Sequence, residues 1–249
     1  DIGFRGYLVK KIDSQNELEI YLRENKIDLI IQEYITLENE CGIFYHRIPD
    51  NNNGKITSIT LKKFLIVMGD GLSRLEELIL KDKRAFLYFD LLKNIHNKKL
   101  SSTPKKDEII KLTVIGNHSK GTQFINGNHL IDSDLEKVFD EITKQIKGWY
   151  YGRLDIKFDS FKNLKLGEGL KILEVNGIIS EPTHIYDPLK TTYVGAVKNI
   201  YKHWKILKKI AIKNHEKYGV PYPKVIPYLK DIIWLRAYAK KLKKLNKKY

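Results

Sequence analysis

Two short stretches near the middle of the chain carry side chains suited to binding a metal ion and phosphate. Arg153, Asp155 and Lys157 alternate with apolar residues in the first stretch, and Glu174 and Asn176 lie at the end of the second. Such alternation is typical of a β-strand, whose successive side chains point to opposite faces. If the strands pair, carboxylates, an amide and cations share one surface. Mg²⁺ takes such oxygen ligands and fills its other positions with water and substrate phosphate.

The apolar residues of the same stretches define the opposite, buried face. We expect Leu154, Ile156 and Phe158 to point into the core from the first strand, and Leu173 and Val175 from the second. The alternative to a metal site is a solvated polar face whose charges pair across the strands. Spacing alone does not decide between the two.

The two stretches resemble the metal-binding core of the ATP-grasp superfamily, in which an Arg-x-Asp strand is followed by a strand ending in Glu-x-Asn. Three more segments match in the expected order. Residues 1–6 resemble the Gly-rich lid loop, 31–35 the hinge against which adenine packs, and 67–71 the Gly-Asp-Gly turn of peptide-forming ligases. The resemblance covers about residues 1–190 and points to carboxylate–amine ligases similar to D-alanine–D-alanine ligase and cyanophycin synthetase.

The resemblance implies an ATP- and Mg²⁺-dependent ligase that joins a small-molecule carboxylate to an amine through an acyl phosphate. By this resemblance, Asp155, Glu174 and Asn176 would hold Mg²⁺ at the β- and γ-phosphates. Arg153 would be the catalytic residue, because its planar fork spans two oxygens of a developing anion. Lys157, on the same strand face, is a weaker candidate for this role and is expected to be an ordinary surface lysine.

The resemblance also implies a set of nucleotide-binding residues. They are Gly3, Gly6, Gln32, Glu33, Ile35, Glu40 and Lys120. Backbone groups of Glu33 and Ile35 would face the adenine edge, assisted by the Gln32 side chain. Glu40 would take the ribose hydroxyls, a role for which Glu38 competes. The two glycines would allow close backbone approach to phosphate or form a simple turn.

Two polar loops complete the implied site. Lys120 would approach the phosphates, although its loop equally fits a strand-end turn. The loop 177–187 follows Asn176 where related ligases bind the acceptor, so Ser180, Thr183 and His184 would bind substrate. A lone histidine is more often a structural hydrogen-bonding group than a base, and that alternative applies to His184.

The predicted fold class is α+β, an ATP-grasp fold with an antiparallel sheet core flanked by helices. Residues 1–33 would form a partial lid subdomain, 34–190 the catalytic subdomain, and 191–249 a C-terminal helical segment.

Local signals place the individual elements. Strands are predicted over 6–12 and 28–35, and a hairpin is predicted to join 41–49 to 55–68 through an Asn-rich turn. Three Ser-x-x-Glu capping boxes predict helices that begin at Ser14, Ser73 and Ser133.

The C-terminal segment shows helical periodicity. From residue 193 to 211, apolar residues recur at spacings of three or four. A second stripe follows the prolines near 221–227 and consists of Ile232, Leu235, Ala239, Leu242 and Leu245. Lysines cover the rest of this last helix. A basic amphipathic helix of this type lies on a membrane or an acidic partner, or it packs as a terminal helix with a solvated end, which we expect here.

Composition excludes several classes. The net charge is +15, but lysine supplies nearly all of it, and with only seven arginines a nucleic-acid partner is not expected. The single cysteine, Cys41, favours a reducing compartment, so the predicted location is the cytoplasm. No apolar run is long enough to span a membrane. The sequence has no zinc-ligand spacing and no P-loop.

The chain opens at Asp1, inside the expected Gly-rich loop, and we interpret it as N-terminally truncated. The preceding domain of the same protein would then help to bind the acceptor. Two other functions stay open: a ligase-derived scaffold that binds nucleotide without turnover, and a basic module for nucleic acid or another anionic surface.

Overall fold

The structure, a computed structural model, describes residues 8–246. These residues divide into two compact units, each assembled from separate stretches of sequence. The first unit contains 8–34, 64–121 and 223–246, and the second contains Ile35–Lys63 and Thr122–Tyr222. The predicted subdomain boundaries near 33 and 190 stay predictions.

The described residues have a mixed α+β fold. The strands are β1 (Asn39–His46), β2 (Lys55–Lys63), β3 (Ile66–Met68), β4 (Ile109–Lys111), β5 (Gln123–Asn126), β6 (Tyr151–Phe158) and β7 (Leu170–Asn176). The α-helices are α1 (Gln15–Glu24), α2 (Leu75–Lys81), α3 (Lys83–Phe86), α4 (Phe89–Ile95), α5 (Ser133–Lys144), α6 (Phe161–Leu164), α7 (Tyr193–Tyr218) and α8 (Val225–Asn246). Short 3-10 helices lie at His118–Lys120, Asn128–Leu130 and Thr183–Tyr186.

An antiparallel sheet in the order β5-β2-β1-β6-β7 forms the centre of the second unit. The predicted hairpin is confirmed over β1 and β2, but Ile66–Met68 of its predicted second arm forms β3 of a separate ribbon. The predicted pairing of the strands that carry Asp155 and Glu174 is confirmed as β6 and β7. One face carries Leu154 and Ile156, which pack with Leu135 and Phe139 of α5 in the main core. Helix α7 packs at the other face, where Ile210 joins a smaller apolar cluster.

A bulge in β7 decides which side chains of that strand share a face. Ile172 pairs with Ile156, yet Glu174 pairs with Asp155, so Leu173 is an extra residue without a partner in the ladder. Leu173 is therefore not a regular position of the ladder, although it is half-buried. Val175 lies opposite Leu154 as predicted, but it is 45% exposed because β7 is an edge strand.

The first unit has its own core around the two-stranded ribbon of β3 and β4. The predicted Gly-Asp-Gly turn is present: Asp70 accepts hydrogen bonds from the backbone N–H of Leu72 at 2.9 Å and of Ser73 at 2.6 Å. Gly71 has φ +75°, which glycine adopts without steric cost. The turn leads into α2.

Three helices begin close to the predicted positions, with two shifts at the caps. Ser14 caps α1 by accepting from the Glu17 N–H. Helix α2 begins one residue later than predicted, and Glu77 closes its first turn by accepting from the Arg74 N–H. In α5 the N-cap is Asp132 instead of Ser133, because the Asp132 carboxylate accepts from the Leu135 N–H at 2.9 Å.

Both isolated strand predictions near the N-terminus are wrong where the structure describes them. Residues 8–12 and 28–35 are irregular and belong neither to the five-stranded sheet nor to the β3-β4 ribbon. Among the described helices, none is both long and apolar enough to cross a membrane.

Candidate functional site

The face of the five-stranded sheet opposite the main core brings charged residues from four strands together. In one row of the ladder, Thr60 of β2, Gly42 of β1, Asp155 of β6 and Glu174 of β7 lie side by side. We call this surface, with its neighbours on the same side, the polar face. Its other members are Glu40, Lys62, Arg153, Lys157 and Asn176.

Asp155 lies at the centre of the polar face and is buried. Arg153 contacts it with both ends of its fork, Nε at 3.0 Å from Oδ1 and Nη2 at 3.1 Å from Oδ2. Asn176 Nδ2 donates to Oδ2 at 3.2 Å, and Lys62 Nζ lies 3.5 Å from Oδ1. The predicted residues Arg153, Asp155 and Asn176 therefore form one bonded cluster, and Glu174 lies directly opposite Asp155.

Lys62 joins this cluster to a second carboxylate. Its Nζ donates to Glu40 Oε1 at 2.7 Å, and both side chains are more than nine-tenths buried. The prediction that Lys157 is an ordinary surface lysine is wrong: it is buried opposite Glu40 and donates to the Ile35 carbonyl at 2.8 Å. The polar face thus buries cations as well as carboxylates.

The buried charges hold one another in the ionised form. Burial alone would raise the pKa of Asp155, but the Lys62 and Arg153 charges outweigh it and hold the pKa below the ordinary carboxyl value. Burial would likewise lower the pKa of Lys62, yet Asp155 and Glu40 raise it above the ordinary lysine value. The cluster therefore stays fully charged at neutral pH.

Two glycines leave the room that this cluster needs. A Cβ on Gly42 would come within 2.9 Å of Arg153 Cδ and 3.0 Å of Asp155 Oδ1. Gly152 has φ +154°, and a Cβ there would lie 1.9 Å from the Asn176 carbonyl oxygen. The first glycine admits the Arg153 and Asp155 side chains over β1, and the second lets the end of β7 approach β6.

The loop after β7 is anchored to the edge of the same face. His184 is buried and its Nδ1 lies 2.7 Å from Ser58 Oγ, and Thr183 Oγ1 donates to Thr60 Oγ1 at 3.0 Å. Burial lowers the pKa of His184, so its ring is neutral at pH 7. Ser180 is exposed and donates to the Gly177 carbonyl at 2.6 Å. Their substrate-binding role stays a prediction.

The predicted nucleotide-binding residues are distributed over both units. Ile35 and Glu40 belong to the second unit, where the Ile35 carbonyl and the Glu40 carboxylate each accept from a buried lysine. Gln32, Glu33 and Lys120 belong to the first unit, in which Gln32 and Glu33 are exposed and irregular. Gly3 and Gly6 lie outside the described residues.

Lys120 borders a cavity of about 560 Å³ in the first unit, lined also by Tyr88, Phe89 and Ser119. Partial burial lowers the pKa of the Lys120 ammonium. A phosphate contact by Lys120 stays a prediction.

The donor set of the polar face fits Mg²⁺ when substrate phosphate supplies further ligands. Asp155 and Glu174 provide two carboxylates, and a phosphate-bound Mg²⁺ is commonly held by one or two; Asn176 adds an amide beside them. Among residues 8–246, no three or more His, Cys, Asp and Glu side chains are grouped to hold a metal by themselves. A site filled by protein ligands alone is therefore not found in this part of the chain.

Sequence reasoning missed Lys62 and Gly42. Lys62 is one of many lysines, and only its alternation with Ser58 and Thr60 along β2 marks it as a member of the polar face. Gly42 has no functional side chain, and its role is to leave room for Arg153 and Asp155. That role can be recognised only when β1 is known to lie beside β6. Both follow from strand order, which local patterns do not encode.

No protein-family model and no curated protein matches the chain. Among solved structures it is similar to a bifunctional glutathione synthetase from Pasteurella multocida, with a TM-score of 0.40 and 17% sequence identity over 71% of this chain. The chain spans about a quarter of the length of that protein, 24%. A likeness at this level carries no functional inference.

Proposed function

We propose that the chain carries the Mg²⁺- and ATP-binding face of a carboxylate–amine ligase of the ATP-grasp type. The observation that supports this is Asp155 opposite Glu174, bonded to Asn176 and Arg153, on a face that also buries Lys62. Oxygen donors for a divalent cation and positive charges for phosphate lie on one surface. The Arg-x-Asp and Glu-x-Asn pattern of ATP-grasp ligases has this same combination.

Each residue has a distinct part in the proposal. Asp155, Glu174 and Asn176 would hold Mg²⁺, which when bound neutralises charge on the ATP phosphates. Arg153 would bind the anionic oxygens of phosphate or acyl phosphate with its planar fork, which in this structure is bonded to Asp155. Lys62 would keep Asp155 ionised in a buried site, so that Asp155 accepts a cation without first losing a proton.

The loop 177–187 would bind the small-molecule carboxylate and amine. Thr183 and His184 fix the loop against β2, and Ser180 lies on its exposed side. In this proposal the buried His184 positions the loop, and the exposed part of the loop contacts the substrates.

Calorimetric titration with a non-hydrolysable ATP analogue tests the proposal. Wild-type chain is expected to bind the analogue in the presence of Mg²⁺ and much more weakly in its absence. An Asp155→Asn, Glu174→Gln variant is expected to lose the Mg²⁺-dependent part. A Glu141→Gln, Glu168→Gln variant removes two exposed carboxylates from the same unit and serves as the matched control, because neither residue is on the polar face.

Equal Mg²⁺-dependent binding by the site variant and the control would contradict the proposal. In the complete protein, ATP-dependent ADP formation should also fall when Asp155 or Glu174 is replaced with alanine. Mg²⁺-dependent binding without any ADP formation would instead support the scaffold that binds nucleotide without turnover.

A further inference from the structure

Helix α8 has two apolar stripes, and only one of them packs on the protein. The predicted stripe is half-buried or buried, and its members are Ile232, Leu235, Ala239, Leu242 and Leu245. A second stripe begins at the first helical residue and repeats at four-residue spacing: Val225, Leu229 and Ile233. These three side chains are 70%, 51% and 66% exposed. This outer stripe lies outside the predicted one.

Further exposed apolar residues widen the outer stripe in the first half of the helix. Ile226 and Trp234 flank it and are 69% and 57% exposed. At 1.5 Å per residue, the segment from Val225 to Trp234 covers roughly 15 Å of helix. An exposed apolar surface of this length, on a helix that already packs through its inner stripe, is typical of a protein or membrane interaction site.

The same outer face becomes cationic in the second half of the helix. Continuing the spacing of three or four residues from Ile233 leads to Arg236, Lys240 and Lys243. The whole helix carries six cations and one carboxylate, Asp231. Apolar and cationic residues are therefore separated along the axis but aligned on one face.

We propose that the outer face of α8 binds the surface of an anionic lipid membrane. Val225, Leu229 and Ile233 would enter the acyl boundary, Trp234 would lie at the headgroup level, and the lysines of the second half would contact anionic headgroups. Two copies of this cationic face repel each other, which disfavours a dimer through α8. Nucleic acid offers no environment for exposed Val, Leu and Ile side chains.

Vesicle sedimentation tests the proposal on the whole chain. We use vesicles of phosphatidylcholine with about a third phosphatidylserine and, in parallel, vesicles of phosphatidylcholine alone. Binding is expected to the anionic vesicles and to fall as salt increases, since surface charges are screened over about 10 Å at 0.1 M. A Leu229→Ser, Ile233→Ser variant is expected to bind at least about tenfold more weakly, because it removes two inserted side chains.

Matched variants separate this surface from general effects. Leu80→Ser, Ile95→Ser removes two exposed apolar side chains elsewhere in the first unit and is expected to bind like wild type. Lys240→Gln, Lys243→Gln is expected to weaken binding at least about tenfold. Lys205→Gln, Lys209→Gln on α7 changes charge equally and is expected to have little effect.

A fluorophore on Ala237→Cys reports the environment of the exposed helix face directly. Labelling is selective because Cys41 is fully buried and burial raises the pKa of its thiol. Anionic vesicles should shift this emission to the blue, and a label on Lys98→Cys in the same unit should not respond.

Several results would overturn the proposal. They are absence of vesicle binding, equal binding to uncharged vesicles, or unchanged binding by the Leu229→Ser, Ile233→Ser variant. Self-association that this variant abolishes, without vesicle binding by wild type, would assign the face to a second copy. Circular dichroism confirms that each variant is folded, and Val225→Ser, Ile226→Ser at the first turn provides an independent test.

Discussion

Replacing Lys62 with methionine tests whether the polar face is an electrostatically coupled unit. Methionine keeps the length and most of the volume of the side chain but removes its charge. In the wild type, Lys62 Nζ lies 2.7 Å from Glu40 Oε1 and 3.5 Å from Asp155 Oδ1, and all three side chains are more than nine-tenths buried. Asp155 keeps Arg153 as a partner after the change, so Glu40 suffers the larger loss.

The expected effect is a loss of about 3–5 kcal/mol in the free energy of unfolding, which is typical when one partner of a buried ion pair is removed. At an effective dielectric constant near 20, the two contacts are worth roughly 6 and 5 kcal/mol before desolvation. The wild-type lysine itself loses several kcal/mol of hydration in the folded state, which offsets part of this attraction. The net contribution of Lys62 to the free energy of unfolding is therefore well below the sum of the two attractions.

Urea unfolding followed by tryptophan fluorescence measures the change, since Trp149 and Trp204 both lie in the second unit. A Lys62→Met, Glu40→Gln double variant should recover part of the loss because it removes the unpaired carboxylate. Lys55→Met is the matched control. It breaks a lysine–glutamate pair on the same strand at 2.8 Å, but Lys55 is 68% exposed, so the loss should be below about 1 kcal/mol.

The loss should also depend on pH. The pKa of Asp155 is lowered in the folded wild type, so its stabilising contribution is present above the ordinary carboxyl range and is lost as pH falls through it. Protonation of Asp155 at low pH removes the charge that Lys62 pairs with in the wild type. The difference from the variant should therefore shrink as pH falls below about 4. A loss below about 1 kcal/mol at pH 7, or no recovery in the double variant, would refute the coupling.

Two further predictions concern the second unit. Gly152→Ala should lower the urea midpoint and weaken Mg²⁺-dependent nucleotide binding, because φ is +154° and a Cβ would lie 1.9 Å from the Asn176 oxygen; unchanged binding would contradict this. Burial lowers the pKa of His46 and of His203 to about 4, so stability should fall by up to about 3 kcal/mol per histidine as pH decreases from 6.5 to 4. A urea midpoint equal at pH 7.5 and pH 5 would exclude that linkage, and His203→Gln should flatten the pH dependence.

The central strands could be predicted because their apolar and polar residues alternate without interruption. In β6, Leu154, Ile156 and Phe158 all reach the core, and Asp155 lies on the other face as expected. The strand predicted over 28–35 is absent, although its sequence also favours a strand. Its apolar run satisfies β-propensity, but in the described part of the chain it joins no sheet, and sequence patterns do not say which segments pair.

The inner stripe of α8 was predictable and its outer stripe was not, although both repeat at helical spacing. A periodicity argument looks for one apolar face and assigns the remaining side to solvent. Leu242 belongs to the predicted face and is buried. Val225 and Ile233 belong to a second apolar face, which a search for one apolar face does not predict. Lysines lie on the same face as Val225 and Ile233, and a charged helix face normally predicts exposure to solvent.

The bulge at Leu173 could be predicted from the sequence, although not from simple alternation of apolar and polar residues. Leu170 and Ile172 share one parity along β7, and Val175 has the other, so no regular strand can place all three on the core face. One inserted residue between Ile172 and Glu174 resolves the conflict, and it also turns Glu174 and Asn176 toward Asp155. In a regular ladder continuing from Ile172, Glu174 would face Leu154 in the core. A change of parity in the apolar residues of an edge strand therefore predicts both the bulge and the face on which a candidate metal ligand lies.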